Sequence, residues 1–358
     1  MVTVILSSSD YFSPYLAVCV YSIAHSCSDA HLYEIIIAER DISQENKKKL
    51  ISIVAKYKNI SIHFLNVSDK VENIRFFLNN ERLSQETYYG ILMPYLLPEI
   101  KKAIIMDCDM VVKKDLAELY ETPLEGYIAG GVNDSVLKGW LCDPQKDMYS
   151  YYTKELHIKN PFLCINGGLL LLDFEKYRNE IPLNRILYCI NNLNLRVVDQ
   201  DLCNILLENK CKLLDSRWNH MVYLEGYVSD AISHAPIDEQ TVYFNAKENP
   251  FIIHYASDKK PWFCPEIEFS ADFWEIAHRT PFYEQILSQM IDKKIDSLVL
   301  KLQTNRSFAR KVLDFFLPKN SKRRKIVKQF FPKESFHYRL IYNAYHVFCK
   351  KQKTGIYI

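Results

Sequence analysis

The chain has 358 residues, 48% hydrophobic and 25% charged, the composition of an ordinary soluble globular protein with one large domain or two small ones. No apolar run approaches the roughly 20 residues that span a bilayer, and none of the ten cysteines forms a C-x-x-C pair, so neither a membrane-spanning segment nor a structural zinc site is expected. The net charge of +2 conceals a split: residues 300–358 hold 15 Lys/Arg and 2 Asp/Glu, whereas the preceding residues hold 30 and 41.

Met1 to Leu6 carries neither a basic segment nor a cleavage site and reads as a first strand over Val2–Leu6, which favours a reducing cytosol. Pro14–His25 is amphipathic. Tyr33–Ala38 reads as a second strand, and Ser43–Lys56 as a helix with Ser43 as its N-cap. Ile60–Leu65 is a third strand, and Gln85–Leu97 a helix before the apolar run Ala103–Met106. Alternation of this kind predicts a mostly parallel sheet with helices on both faces. After Tyr127–Val132 comes a long segment, 134–161, rich in Tyr, Lys and Asp, which reads as a lid or binding loop. Leu163–Asp173 resumes the strand pattern, with helices after Phe174 and from Asp199 to Glu208. Ile252-Ile253 is a late strand, and 270–299 looks helical.

Asp107-Cys108-Asp109 closes the run Ala103-Ile104-Ile105-Met106. A short apolar stretch bounded by charge reads as a buried strand, so both carboxylates emerge at its carboxyl end. Side chains at i and i+2 of an extended segment point the same way, with alpha carbons roughly 6.5–7 Å apart. That spacing suits convergence on one divalent ion, and in open α/β sheets ligands bind beyond such strand ends. Two solvated loop acids would give the same three letters.

Four further segments break the tie: Ile165-Asn166-Gly167-Gly168-Leu169, Asp199-Gln200-Asp201, His254-Tyr255 and Lys259-Lys260-Pro261-Trp262. With these in order, residues 2–263 resemble the family-eight retaining glycosyltransferases. The resemblance implies an α/β fold, a single GT-A type Rossmann-like nucleotide-sugar-binding domain over 1–270. A helical region over 271–358 would follow, ending in a basic tail. It implies a UDP-sugar donor and a metal held by Asp107, Asp109 and His254. An imidazole beside two carboxylates favours Mn2+, with Mg2+ as substitute. Lys260 would meet the departing phosphate, while Lys259 is a solvated charge. Gln200, Asp199, Asp134 and Asn166 map onto catalytic positions about the transferred sugar, Asp199 serving also as a helix N-cap. Ser7, Ser9, Phe12, Cys108 and Ser257 map onto the donor pocket, Phe12 as a platform for the base. Trp262 suits core and site equally.

Three departures stand out. Gly90 replaces a usual arginine facing the donor, Ser9 a usual aspartate at the base, and Ser257 a usual glycine near the diphosphate. They keep open a weakly active or non-catalytic nucleotide-sugar-binding protein. A nucleotidyltransferase would also use paired aspartates, but no Gly-rich phosphate loop follows the first strand. The expected reaction is transfer of galactose or glucose to a glycan or glycolipid acceptor, such as lipopolysaccharide core or a capsular precursor.

In the tail, Phe308, Val312, Leu313 and Phe316 share one helical face, and Ile326, Val327, Phe330 and Phe331 another, about Lys322-Arg323-Arg324-Lys325. Basic, aromatic amphipathic helices fit an anionic membrane surface. A cytoplasmic enzyme peripheral on the inner face of the cytoplasmic membrane is therefore expected. A packing or subunit-pairing appendage is the alternative, and no nucleic-acid partner is expected because the body is acidic.

Overall fold

A computed structural model describes residues 1–72, 74, 76, 85–222 and 227–296. The chain opens with β1 (Val2–Ser7), α1 (Ser13–Ser26), β2 (Tyr33–Glu39), α2 (Gln44–Val54), β3 (Ile60–Asn66) and α3 (Ser68–Val71). Next come α4 (Tyr89–Leu96), β4 (Lys102–Met106), β5 (Met110–Val112), α5 (Leu116–Tyr120), β6 (Ala129–Asn133), α6 (Ser135–Cys142) and α7 (Met148–Ser150). The middle holds β7 (Ile165–Asp173), α8 (Phe174–Glu180), α9 (Leu183–Asn192), α10 (Val198–Leu206), β8 (Cys211–Leu213) and β9 (His220–Met221). It ends in α11 (Tyr227–His234), α12 (Ile237–Glu248), β10 (Ile252–His254), α13 (Ser270–Ala277) and helical residues 283–296. Two compact units result, Met1–Met290 and Ile291–Ile358. The basic tail expected over 301–358 lies outside the described residues.

Seven strands form one sheet in the order β3-β2-β1-β4-β7-β6-β8, and β5-β10-β9 form a second. β1, β2, β3 and β4 run parallel, whereas β7 is antiparallel to both β4 and β6. The central strands are covered on both faces, which is why β1 and β4 read as apolar runs, whereas the edge strand β3 alternates and is partly exposed. Val4, Leu6, Ile35, Ile37, Ile104 and Met106 share one core with α1. Ile5, Ile36, Ala38, Ala103 and Ile105 share the opposite core with α4, α8 and α10. Each Val, Leu, Ile or Met side chain among these contributes about 1.5–3 kcal/mol by leaving water. Shifting a strand by one residue would exchange its two sets, so register is strongly specified.

Local signals hold where the chemistry is local. Ser43 Oγ accepts from Asn46 N–H at 3.3 Å, as the N-cap reading required. The segment 134–161 differs from the loop expected of it. It folds as α6, α7, a wide turn over Tyr151–Glu155 and a 3-10 turn over Pro161–Leu163. Asp134 starts α6 by accepting from Leu137 N–H at 2.8 Å. Tyr151 and Tyr152 are buried, and their hydroxyls donate to Asp201 at 2.6 and 2.7 Å. A tyrosine-rich stretch reads as polar until a distant carboxylate satisfies its hydroxyls.

Candidate active site

β4 ends at Met106, and Asp107-Cys108-Asp109 form the turn into β5. β10 pairs antiparallel with β5, setting His254 opposite Met110, and Tyr255 N–H donates to Asp109 O at 3.1 Å. This pairing carries a residue more than 140 positions later in the chain onto the aspartate turn. One ligand atom from each of Asp107, Asp109 and His254 lies within 4.8 Å of the others. His254 Nε2 is 3.6 Å from Asp107 Oδ2 and 3.3 Å from Asp109 Oδ1. Gly168 closes the back of the cluster. A Cβ there would come 2.5 Å from His254 Cε1 and 2.7 Å from Asp107 Oδ2, so the position requires glycine.

Lys260 Nζ donates to Asp109 Oδ2 at 2.5 Å and to Tyr255 O at 2.6 Å. The other oxygen, Asp109 Oδ1, is buried without a hydrogen-bond partner. Burial opposes the Asp109 charge, yet Lys260 and then His254 hold its carboxyl well below the usual range. Enclosure and then the Asp109 charge push Asp107 up to about 6, although 49% of its side chain still meets solvent. An orphaned carboxylate oxygen, an imidazole nitrogen aimed at it and a second carboxylate together fit a divalent cation.

Beside the cluster opens a cleft of about 370 Å³ lined by Asp134, Asn166, Gln200 and Ser257, with Leu137, Trp140 and Lys259. Gln200, in the first turn of α10, donates through Nε2 to Asp134 Oδ2 at 3.0 Å and accepts at Oε1 from Asn166 Nδ2 at 2.9 Å. Gly167 N–H adds a second donor to that oxygen at 3.3 Å. The amide is therefore held by three fixed partners. Asp199 occupies the second helical position of α10, whose N-cap is Val197, so the capping role expected of it is not found. Burial and then the Asp107 charge raise its carboxyl to about 7.

Ser257 stands at the cleft, while Lys259 is half-exposed there and 3.9 Å from Asp258. Ser7 ends β1, Cys108 is half-buried in the aspartate turn, and Ser9 O accepts from Phe12 N–H at 3.1 Å in the turn that opens α1. Phe12 is half-buried and packs edge-on against Tyr15 and Trp262. Trp262 is core: it is 1% exposed and stacks on Tyr15 at 4.0 Å. Gly90 also has a packing cause, since a Cβ there would lie 2.8 Å from Ile105 Cγ2 and lift α4 off β4.

Asn219, Trp140 and Asp201 escaped the sequence reading. Asn219 sits in a 3-10 turn over Ser216–Asn219 with no spacing pattern about it, yet it is 1% exposed and bridges Asn166 to His254. Asp201 adjoins Gln200 in a motif already noted, but two of its four donors, the Tyr151 and Tyr152 hydroxyls, lie 50 and 49 positions away and are invisible locally.

Residues 3–264 match Glycosyl transferase family 8. General stress protein A of Bacillus subtilis is 23% identical over 265 residues, 72% of this chain and 86% of that protein. The WbbM bifunctional glycosyltransferase superposes with a TM-score of 0.74 at 24% identity, covering 81% of this chain and 52% of that one. The galactosyltransferase LgtC in complex with donor and acceptor sugar analogs superposes at 0.60 with 19% identity, covering 78% and 96%. This chain thus spans about half of WbbM, and at these identities the structures speak for the fold, which is of GT-A type. Over a match of this extent, carrying the acidic turn, the Asn-Gly-Gly strand and the late histidine in one site, the chain belongs to glycosyl transferase family 8.

Proposed function

We propose that the protein is a metal-dependent retaining hexosyltransferase that moves galactose or glucose from a UDP-sugar to a glycan or glycolipid acceptor. The observation that carries this reading is Asp109 Oδ1, buried without a partner and faced by His254 Nε2 at 3.3 Å, beside a cleft floored by Gln200 and Asp134. Asp107, Asp109 and His254 would hold the cation, with Mn2+ favoured over Mg2+ by the imidazole. When bound, it supplies Lewis-acid neutralisation of the donor diphosphate.

The chain's own groups do the rest. Lys260, anchored on Asp109 and Tyr255 O, places a cation where phosphate charge develops. Gln200 is neutral, tied by Asp134, Asn166 and Gly167, and a poor nucleophile. Asp134 is occupied by Leu137 N–H and by Gln200. Both features favour a front-face course. The anomeric carbon–diphosphate bond breaks, the bond to the acceptor oxygen forms on the same face, and the acceptor proton passes to the departing diphosphate oxygen. The Gln200 amide oxygen steadies positive charge at the anomeric carbon. Ser7, Ser9, Phe12, Cys108 and Ser257 would bound the nucleotide side.

The acceptor we favour is lipopolysaccharide core or a capsular, lipid-linked saccharide. It would be met at the inner face of the cytoplasmic membrane through the basic residues of 301–358. Among the described residues, no helix is long and apolar enough to cross a membrane. Incubating the protein with Mn2+ and a panel of nucleotide-sugars tests the donor class by hydrolysis. Proton NMR of the first-formed linkage tests retention, and inversion would overturn it.

A further inference from the structure

The cleft and the cation cluster are joined by a run of buried side-chain amides whose orientation is dictated at one end by groups that cannot reverse. Asp134 offers only acceptor oxygens, and Gly167 and Gly168 offer N–H donors, so the Gln200 amide must turn its nitrogen to Asp134 and its oxygen to Gly167. That oxygen then requires a donor from Asn166, which supplies Nδ2 at 2.9 Å. Asn166 Oδ1 is left to accept, and it does so from Gly168 N–H at 3.1 Å and Asn219 Nδ2 at 3.0 Å. Asn219 Oδ1 is consequently the only atom of that amide free to meet His254, and it lies 2.9 Å from Nδ1. Reversing any member would set donor against donor or acceptor against acceptor among side chains that are at most 8% exposed.

We propose that Asn219 is a positioning residue that holds the His254 proton on Nδ1, and so keeps the Nε2 lone pair open toward Asp107 and Asp109. The competing arrangement is strong. Two carboxylate oxygens stand 3.3 and 3.6 Å from Nε2, and the nearer, Asp109 Oδ1, is within reach of a hydrogen bond from a proton there. A ring protonated at Nε2 cannot coordinate a metal through that atom. Asn219 decides between the two because its oxygen cannot donate and its nitrogen is committed to Asn166. Partners of this kind behind a metal-binding histidine typically change metal affinity by about 10–100-fold. Through Asn166 and Gln200 the same run makes the metal ligand's orientation answer to the group nearest the reacting sugar. The inference rests on the metal reading only for its affinity arm.

The test compares wild type with Asn219→Leu, which removes both polar atoms, and Asn219→Asp, which keeps the acceptor for Nδ1–H. Each must first show cooperative thermal unfolding. Protein labelled with 15N-histidine is read by NMR without metal at about pH 8. His254 is identified as the ring lost in His254→Gln. We expect Nδ1–H in the wild type and in Asn219→Asp, and Nε2–H in Asn219→Leu. Calorimetry with Mn2+ should show affinity about 10–100-fold weaker for Asn219→Leu, with Asn219→Asp recovering most of it. An Nε2–H signal in the wild type, or equal losses in the two variants, would overturn the inference. Wild type that takes up no Mn2+ would sink the metal reading, while the ring signals would still judge Asn219 should the leucine variant not fold.

Discussion

His254 Nε2 stands 3.3 Å from Asp109 Oδ1, and that oxygen is buried with no hydrogen-bond donor. The other oxygen of the same carboxylate carries Lys260 at 2.5 Å. One carboxylate thus faces a fixed ammonium on one side and an open coordination direction on the other.

Removing any member of the cluster should abolish the opening without unfolding the protein. Asp107→Ala, Asp109→Ala and His254→Ala are expected to melt cooperatively and to lose turnover by at least about 10²-fold, the scale of one preorganised electrostatic stabiliser. Transfer at full rate by metal-stripped protein in excess chelator would refute the metal requirement.

The adjacent lysines should separate cleanly. Lys260 is held by Asp109 and Tyr255 O, whereas the Lys259 side chain is 46% exposed and 3.9 Å from Asp258. Lys260→Ala should lower turnover by about 10²–10³-fold, and Lys259→Ala should change it little. The assay is donor hydrolysis under saturating Mn2+, and the opposite ranking would contradict the assignment.

Asp201 should matter for stability more than for chemistry. It is wholly buried and accepts from Tyr151 and Tyr152 hydroxyls and from the N–H groups of Arg196 and Val197. Asp201→Ala strands the two tyrosine hydroxyls and Val197 N–H, while Arg196 N–H keeps the Tyr151 hydroxyl oxygen at 2.8 Å, so urea unfolding should show a loss of roughly 3 kcal/mol or more. A loss below about 1 kcal/mol would mean the tyrosines find other acceptors.

His220 should make the protein acid-sensitive. Both ring nitrogens are buried without partners, between Tyr243 at 5.0 Å and Phe269 at 5.7 Å. Burial and then the Lys247 charge push the imidazole down to about 4 from 6.5. The unfolded chain therefore takes up this proton first, and stability falls as pH drops from about 6.5 toward 4. Between pH 7 and 5 the term is roughly 2 kcal/mol. His220→Phe should remove that part of the slope in urea titrations at the two pH values. An unchanged slope would exclude His220 as its source.

Deleting 301–358 should spare hydrolysis of soluble donor and reduce transfer to a membrane-bound acceptor, an expectation that rests on sequence alone. Binding of the full chain to anionic vesicles should weaken with salt, because attraction is screened over about 10 Å at 0.1 M. Equal vesicle binding with and without the tail would favour a packing or subunit-pairing role.

What was readable from the chain by itself is whatever neighbouring residues decide among themselves. Ala103–Met106 had to be a doubly buried strand because no polar side chain interrupts it, and Ser43 had to cap a helix because its hydroxyl reaches the N–H three residues on. Asp107 and Asp109 follow from that strand's end, and the α/β layering from its alternation with helices. His254 was reachable only through the resemblance, since a histidine ending a three-residue strand carries no sign of its partner. Tertiary structure decided that it meets the aspartates, through the antiparallel pairing of β10 with β5. The same holds for α6, whose capping carboxylate doubles as the anchor of Gln200, and for Asn219, which gains meaning only between Asn166 and His254. Hydrophobic period is a property of a segment, whereas a buried hydrogen-bond partner is a property of two segments brought together, and a local pattern records only the first.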